Sequence, residues 1–145
     1  MGDISKDISS AFSSEKIKAF INIKYTASCL NNREVEFFKP FGVSPQQYNI
    51  LRILRGAKKP VKVQVVKDRL VDKSPNITRL MDKLLEKKLI QRHRCKSDRR
   101  VVFVEISILG LSLLEDVDKK GKDKYLVNLS NEEAVILSDL LDKIR

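Results

Sequence analysis

The hydrophobic period of this chain is interrupted once, and that interruption limits the folds open to it. Up to Lys88, apolar residues recur every three to four positions. From Ile90 the period drops to two: Ile90, Arg92 and Arg94 alternate with Gln91, His93 and Cys95. Val101 to Ile106 is then apolar and β-branched. At Ser107 the helical spacing returns and persists to Ile144. A single β-hairpin with a polar loop, Lys96 to Arg100, therefore interrupts an otherwise helical chain.

The helices can be delimited by their start and stop signals. A segment without Gly or Pro, from about Ser14 to Phe38, places Ile17, Phe20, Ile21, Tyr25, Val35 and Phe38 along one face, with Ser13 or Ser14 as its cap. Upstream, Ile4, Ile8 and Phe12 form a short apolar arm. The first helix stops before Pro40 and Gly42. Ser44-Pro45-Gln46-Gln47 combines a Ser cap, a Pro at the first helical position and a Gln three residues after the Ser. Tyr48, Leu51 and Leu54 carry the buried stripe of that helix, which ends near Gly56. Val63, Val66 and Leu70 predict a short helix over Lys62 to Val71. Ser74-Pro75 then opens a helix to about Lys88, with Ile77, Leu80, Met81, Leu84 and Leu85 inward. Its outer positions include Asn76, Thr78, Arg79 and Lys83. After the hairpin, Ile108, Leu111, Leu114 and Val117 continue toward Gly121 and Tyr125, and Ser130 with Glu133 forms a capping box for a last helix ending near Ile144.

The fold class is thus mainly α with a small β-hairpin. Three helices followed by a hairpin make a winged helix-turn-helix, in which the helix after the tight turn enters the DNA major groove. Charge supports that partner. The 145 residues carry a net charge of +10. Between Ile50 and Arg100 there are 17 Lys and Arg against 5 Asp and Glu, whereas the rest of the chain is slightly acidic. The excess belongs to one segment, the footprint of a polyanion partner.

Within that segment, residue types match duplex readout. Arg79 can grip guanine through two hydrogen bonds, Asn76 can do the same to adenine, and Thr78 offers a methyl to thymine or a hydroxyl to phosphate. Pro75 offers apolar contact. The helix start at Ser74 presents unpaired amides to a phosphate. Lys58, Lys59 and Lys62 suit phosphate contacts. In the loop, Arg94, Lys96, Arg99 and Arg100 surround Asp98, whose carboxylate is expected to hold one guanidinium in a fixed fork and leave the other for a narrow minor groove.

Other function classes lack residues. The longest apolar runs cannot span a bilayer, and the N-terminus, with Asp3 and no apolar core, is not a signal peptide. Cys29 and Cys95 give neither a disulfide framework nor a zinc set, and fit a reducing cytoplasm. His93 is the only histidine and shares a strand face with Cys95, which is insufficient for a metal site. There is no glycine-rich phosphate loop, no nucleophile–base pair and no Trp, so neither an enzyme, a bound cofactor nor a single-strand stacking platform is expected. The remaining alternative to a regulator is a winged-helix interaction or architectural module without sequence readout.

The chain resembles the MarR family of bacterial transcription regulators. The resemblance is carried by Ser44 to Leu54, by Ser74 to Leu85, by Leu89-Ile90-Gln91-Arg92, by Asp98-Arg99-Arg100 (the family's Asp-x-Arg wing motif), by Ile106-Ser107-Ile108-Leu109-Gly110, and by Leu129 to Ile144. It implies a homodimeric repressor on a pseudo-palindromic operator, released by a small lipophilic or phenolic effector. It further implies an arm and dimerisation helix over 1–41, a winged unit over 42–106 and dimerisation helices over 107–145. By the same resemblance, Arg100 enters the minor groove, oriented by Asp98, and Ser74, Pro75, Asn76, Thr78 and Arg79 face the major groove. With Lys62, Lys83, Arg94, Lys96 and Arg99, these make up the candidate DNA-binding set. Tyr25, Phe41 and Tyr48 are candidates for a pocket lining, though such residues are more often plain core. Two departures stand out: Lys88 occupies the usual glycine at the end of the recognition helix, and Lys62 the usual Ser or Thr cap of the short helix.

Overall fold

Capping explains where most of the helices begin. In the computed structural model, which describes residues 2–73, 76–121 and 128–145, a short helix α1 (Ile4–Asp7) precedes the long α2 (Glu15–Phe38). The Ser14 side chain accepts from the Ile17 amide at the start of α2. A 3-10 turn, Lys39–Phe41, and Gly42 with φ of 68° lead to α3 (Pro45–Ala57). There the capping box forms as expected: the Gln47 amide donates to Ser44 Oγ at 3.1 Å, and the Ser44 amide to Gln47 Oε1 at 3.0 Å. Then come β1 (Val61–Lys62), α4 (Val63–Arg69), α5 (Ile77–Glu86), β2 (Ile90–Arg94), β3 (Val102–Ile106), α6 (Ile108–Lys120) and α7 (Asn131–Asp142). The Ser130–Glu133 box starts α7.

The sheet differs from the expected hairpin. It has three antiparallel strands in the order β1-β3-β2. Val61 pairs with Val104 and Lys62 with Phe103, so two residues before α4 close the far edge of β3. Such a short strand has no periodicity of its own; it forms because β3 offers an unpaired edge. The short helix loses its predicted first and last residues. Lys62 stands at its cap without a side-chain cap bond, as the missing Ser or Thr implied.

Three helix ends also shift. α5 begins at Ile77, with Asn76 at the cap position, rather than at Pro75; Ser74 and Pro75 lie outside the described residues. Gly56 is inside α3, and Lys58 takes the left-handed conformation that ends it. α6 stops at Lys120, where Gly121 turns to φ of 76°, rather than running on; Tyr125 lies outside the described residues.

One core joins the winged unit to its flanks. Ile50, Leu51, Leu54, Val66, Ile77, Met81, Leu84 and Val104 pack with Phe38 of α2 and with Leu114 and Val117 of α6. Arg55 adds a 2.6 Å ion pair from α3 to Asp118 of α6. By contrast, no residue of α7 is buried, and α2 buries only Phe38. Ile17, Phe20, Val35, Val135, Ile136, Leu137 and Leu140 face outward. No helix of the described residues is long and apolar enough to cross a membrane.

Candidate nucleic-acid interface

The outer surface of α5 is a polar ridge. Ile77, Met81 and Leu84 point into the core, which forces Thr78, Arg79, Asp82, Lys83 and Glu86 outward at helical spacing. Arg79 and Glu86 lie opposite the core. Thr78 and Asp82 fall on one flank, and Asn76, Lys83 and Lys87 on the other.

The flank bearing Thr78 faces the wing. There the α4 start, α5, β2 and the wing base enclose an open cleft of about 440 Å³. Lys62, Thr78, Arg92 and Arg100 line it, so three cations from three separate elements meet beside the ridge. Arg92, absent from the expected set, is the organising residue: its guanidinium donates to Asp82 Oδ1 at 3.0 Å and ties β2 to α5. Its alternation with Arg94 was visible, but its pairing with Asp82 depends on how the strand crosses the helix.

The wing is built differently from expectation. Asp98 Oδ1 accepts the backbone amide of Arg100 at 2.9 Å, and the Asp98 carbonyl accepts the Val101 amide at 3.0 Å. The carboxylate therefore orders the turn rather than gripping a guanidinium. The amide two residues on is held close by the chain itself, whereas an exposed guanidinium is well solvated and gains little from an ion pair. Arg99 and Arg100 make no ion pair among the described residues, and with Arg94 and Lys96 they stand exposed. The Cys95 amide donates to the Val101 carbonyl at 3.0 Å and closes the loop. Cys95 Sγ is 3.0 Å from Ser97 Oγ. The Ser97 hydroxyl, followed by the amides of Asp98 and Ser97, lowers the thiol pKa. His93 Nε2 lies 2.5 Å from Glu105 Oε1 across the sheet.

Behind the recognition helix, α5 ends in a Schellman motif. The Leu89 amide donates to the Leu84 carbonyl and the Lys88 amide to the Leu85 carbonyl, both at 2.9 Å. Lys88 supplies the left-handed residue, with φ of 57°, where glycine would be at ease. Ser107 then joins this terminus to α6. Its hydroxyl donates to the Lys88 carbonyl at 2.7 Å and accepts the Gly110 amide at 3.0 Å, while its own amide donates to the Leu89 carbonyl at 3.0 Å. Gly110 is pressed onto this junction: a Cβ there would collide with the Leu89 carbonyl and lie 2.7 Å from Ile106 Cγ1.

A second cleft, of about 350 Å³, lies between α2, α3 and the segment after α4. Tyr48, Leu70 and Leu80 give it apolar walls, and Asn31, Glu34 and Arg52 a polar rim. Burial raises the Glu34 pKa. Of the three aromatic pocket candidates only Tyr48 reaches this cleft; Phe41 packs on Phe37 with ring centroids 5.8 Å apart, and Tyr25 is exposed on α2.

Comparison with known proteins places this architecture. The sequence model of the MarR family matches residues 43–102. The HTH-type transcriptional regulator MhqR of Bacillus subtilis is 28% identical over 133 residues, spanning 90% of this chain and 91% of that protein. The crystal structure of a MarR transcription factor from Planctomyces limnophilus is 32% identical, with a TM-score of 0.71 over 91% of this chain and 98% of that one. A mutant MarR from E. coli complexed with operator DNA shares the fold, with a TM-score of 0.78, 24% identity and coverage of 93% and 99%. With 32% identity over nearly its whole length to a solved member, the chain belongs to the MarR family of transcriptional regulators.

Proposed function

We propose that this protein is a homodimeric, sequence-specific regulator of transcription that binds a pseudo-palindromic duplex and blocks transcription until a small lipophilic or phenolic effector releases it. The observation that carries the reading is the α5 ridge, with Thr78 and Arg79 exposed beside a cleft lined by Lys62, Arg92 and Arg100. A helix of that kind reads base edges in the major groove while flanking cations hold phosphates. Residues 42–106 are the DNA-binding unit, and 1–41 with 107–145 supply the dimer contacts. The outward apolar faces of α2 and α7 favour this division. Ser74, Pro75, Asn76, Thr78, Arg79 and Lys83 serve the major groove, and Arg94, Lys96, Asp98, Arg99 and Arg100 form the wing. The cleft beside Tyr48 is the effector site. The protein acts in the cytoplasm.

In vitro selection of duplexes bound by the full chain tests this reading. The expected product is a symmetric motif with half-sites about 34–36 Å apart, and weaker binding in the presence of an effector. Uniform recovery of all sequences would instead indicate an architectural module. On the recovered site, Arg100→Ala is expected to weaken binding about tenfold when the flanks are A·T-rich and less when they are not. Wild-type affinity on both would remove Arg100 from the interface.

A further inference from the structure

The ridge of α5 has a second basic flank. Asn76, Leu80, Lys83 and Lys87 repeat along the side of α5 away from the wing and face a second open cleft, of about 680 Å³. Its opposite wall is the end of α2 and the 3-10 turn, which contribute Lys39, and the beginning of α3, which contributes Pro45 and Gln46. Three ammonium groups from two parts of the chain therefore converge on one side of the helix. Lys87 Nζ donates to the Gly42 carbonyl, which pins that wall to α5. The acid on the rim, Glu36, is 4.0 Å from Lys39, and the cleft keeps a positive balance.

We propose that this cleft holds the phosphodiester backbone on the far side of the major groove, so that the recognition helix is gripped from both flanks. The inference rests on the duplex-binding reading above and adds to it a surface and two residues, Lys39 and Lys87. A helix lying in a major groove has a ridge of phosphates on each side. The wing-side cleft, through Lys62 and Arg92, meets one ridge. The cleft of Lys39, Lys83 and Lys87 is on the opposite flank of the same helix and is continuous with it, so it meets the other. Its positive charge is placed where the duplex is most negative. The positive end of the α3 dipole adds to the attraction.

Affinity of the full chain for its selected duplex, measured by fluorescence anisotropy across salt, tests the assignment. The variants are Lys39→Gln, Lys87→Gln, the double variant, and Lys143→Gln at the C-terminal end of α7, outside both clefts, as control. Each lysine removed from a phosphate flattens the dependence of log affinity on log salt by about one per chain. The double variant is therefore expected to show a shallower slope and an unchanged recovered motif, with Lys143→Gln matching wild type. Because Lys87 also holds Gly42, Lys39→Gln, at an exposed side chain that pairs loosely with Glu36, is the decisive single change, and thermal melting verifies its fold. A wild-type slope for Lys39→Gln and for the double variant would overturn the proposal. A wild-type protein without duplex affinity would overturn the earlier reading as well, and the two failures are thus distinguishable. Duplexes with neutral methylphosphonates on one or the other side of the major groove give an independent readout. Neutralising one side should weaken wild type but not the double variant, and that side should differ from the one whose loss Lys62→Gln masks. If both variants mask the same side, the two clefts grip one backbone and the assignment is wrong.

Discussion

Lys88 holds a left-handed backbone that an L side chain enters at a cost of about 1–2 kcal/mol. Glycine at that position removes the clash but loses more freedom on folding, by about 0.5–1 kcal/mol. Lys88→Gly is therefore expected to stabilise the fold by about 0.5–1 kcal/mol, seen as a rise of a few degrees in thermal midpoint. An unchanged or lower midpoint would mean that the side chain makes a compensating contact. Gly110 presents the converse case. Its α-carbon is so close to the Leu89 carbonyl and Ile106 that an added methyl requires backbone movement. Gly110→Ala should lose about 2 kcal/mol or more in urea unfolding, and a loss under about 0.5 kcal/mol would show that the junction yields easily. The two residues explain why the stretch Ile106 to Gly110 was recognisable: Ser107 and Gly110 are required by one crowded junction, and no other pair in the segment does both jobs.

Among the elements, the wing combines order with reactivity. Its loop is closed by Cys95, Asp98 and Val101 through backbone hydrogen bonds, and the Ser97 hydroxyl reaches the Cys95 sulfur. Because these donors favour the thiolate, the alkylation rate of Cys95, followed by peptide mass spectrometry, should reach half its alkaline plateau at lower pH than an unstructured cysteine peptide does. Ser97→Ala should move that midpoint up; an unmoved midpoint would leave the amides as the only cause. The associated stability is present above the unfolded thiol's pKa and is lost as pH falls through the lower folded value. The helices of this chain were legible because Ser caps, Pro at first positions and apolar spacing are all local. β1 was not, since two residues carry no period and pair only because β3 lies beside them. The fork expected of Asp98 was a reasonable reading of charge, but the turn's own amide is nearer. The positions of Arg92 and Lys39 beside α5 were not readable, because they depend on tertiary crossings that no spacing in the sequence records.

For the whole molecule, the single chain leaves α7 unburied and the apolar side of α2 open. Phe20 on α2 and Ile136, Leu137 and Leu140 on α7 are large apolar side chains left open to solvent, as residues of a subunit contact are in a single chain. Leu140→Glu should therefore shift the protein from dimer to monomer in sedimentation at micromolar concentration, and should reduce affinity for a symmetric duplex at least tenfold, because one head alone loses the second half-site. A dimer of undiminished stability would place the interface away from α7. The concentration of basic residues between Ile50 and Arg100 has its complement here: the rest of the chain is slightly acidic and carries the outward apolar side chains of α2 and α7.

The Ser107 junction makes α5 a lever. The helix spans 10 residues, about 15 Å along its axis, and its far end carries Thr78 and Arg79, the residues proposed to face the bases. The fulcrum is at Leu89, where Ser107 ties it to the first turn of α6. A tilt of α6 by about 10° at that point sweeps the Ile77 end through roughly 2.6 Å, most of the 3.4 Å rise between stacked bases. A small tilt among the packed helices is thus enough to move the outer end of α5 by most of one base step.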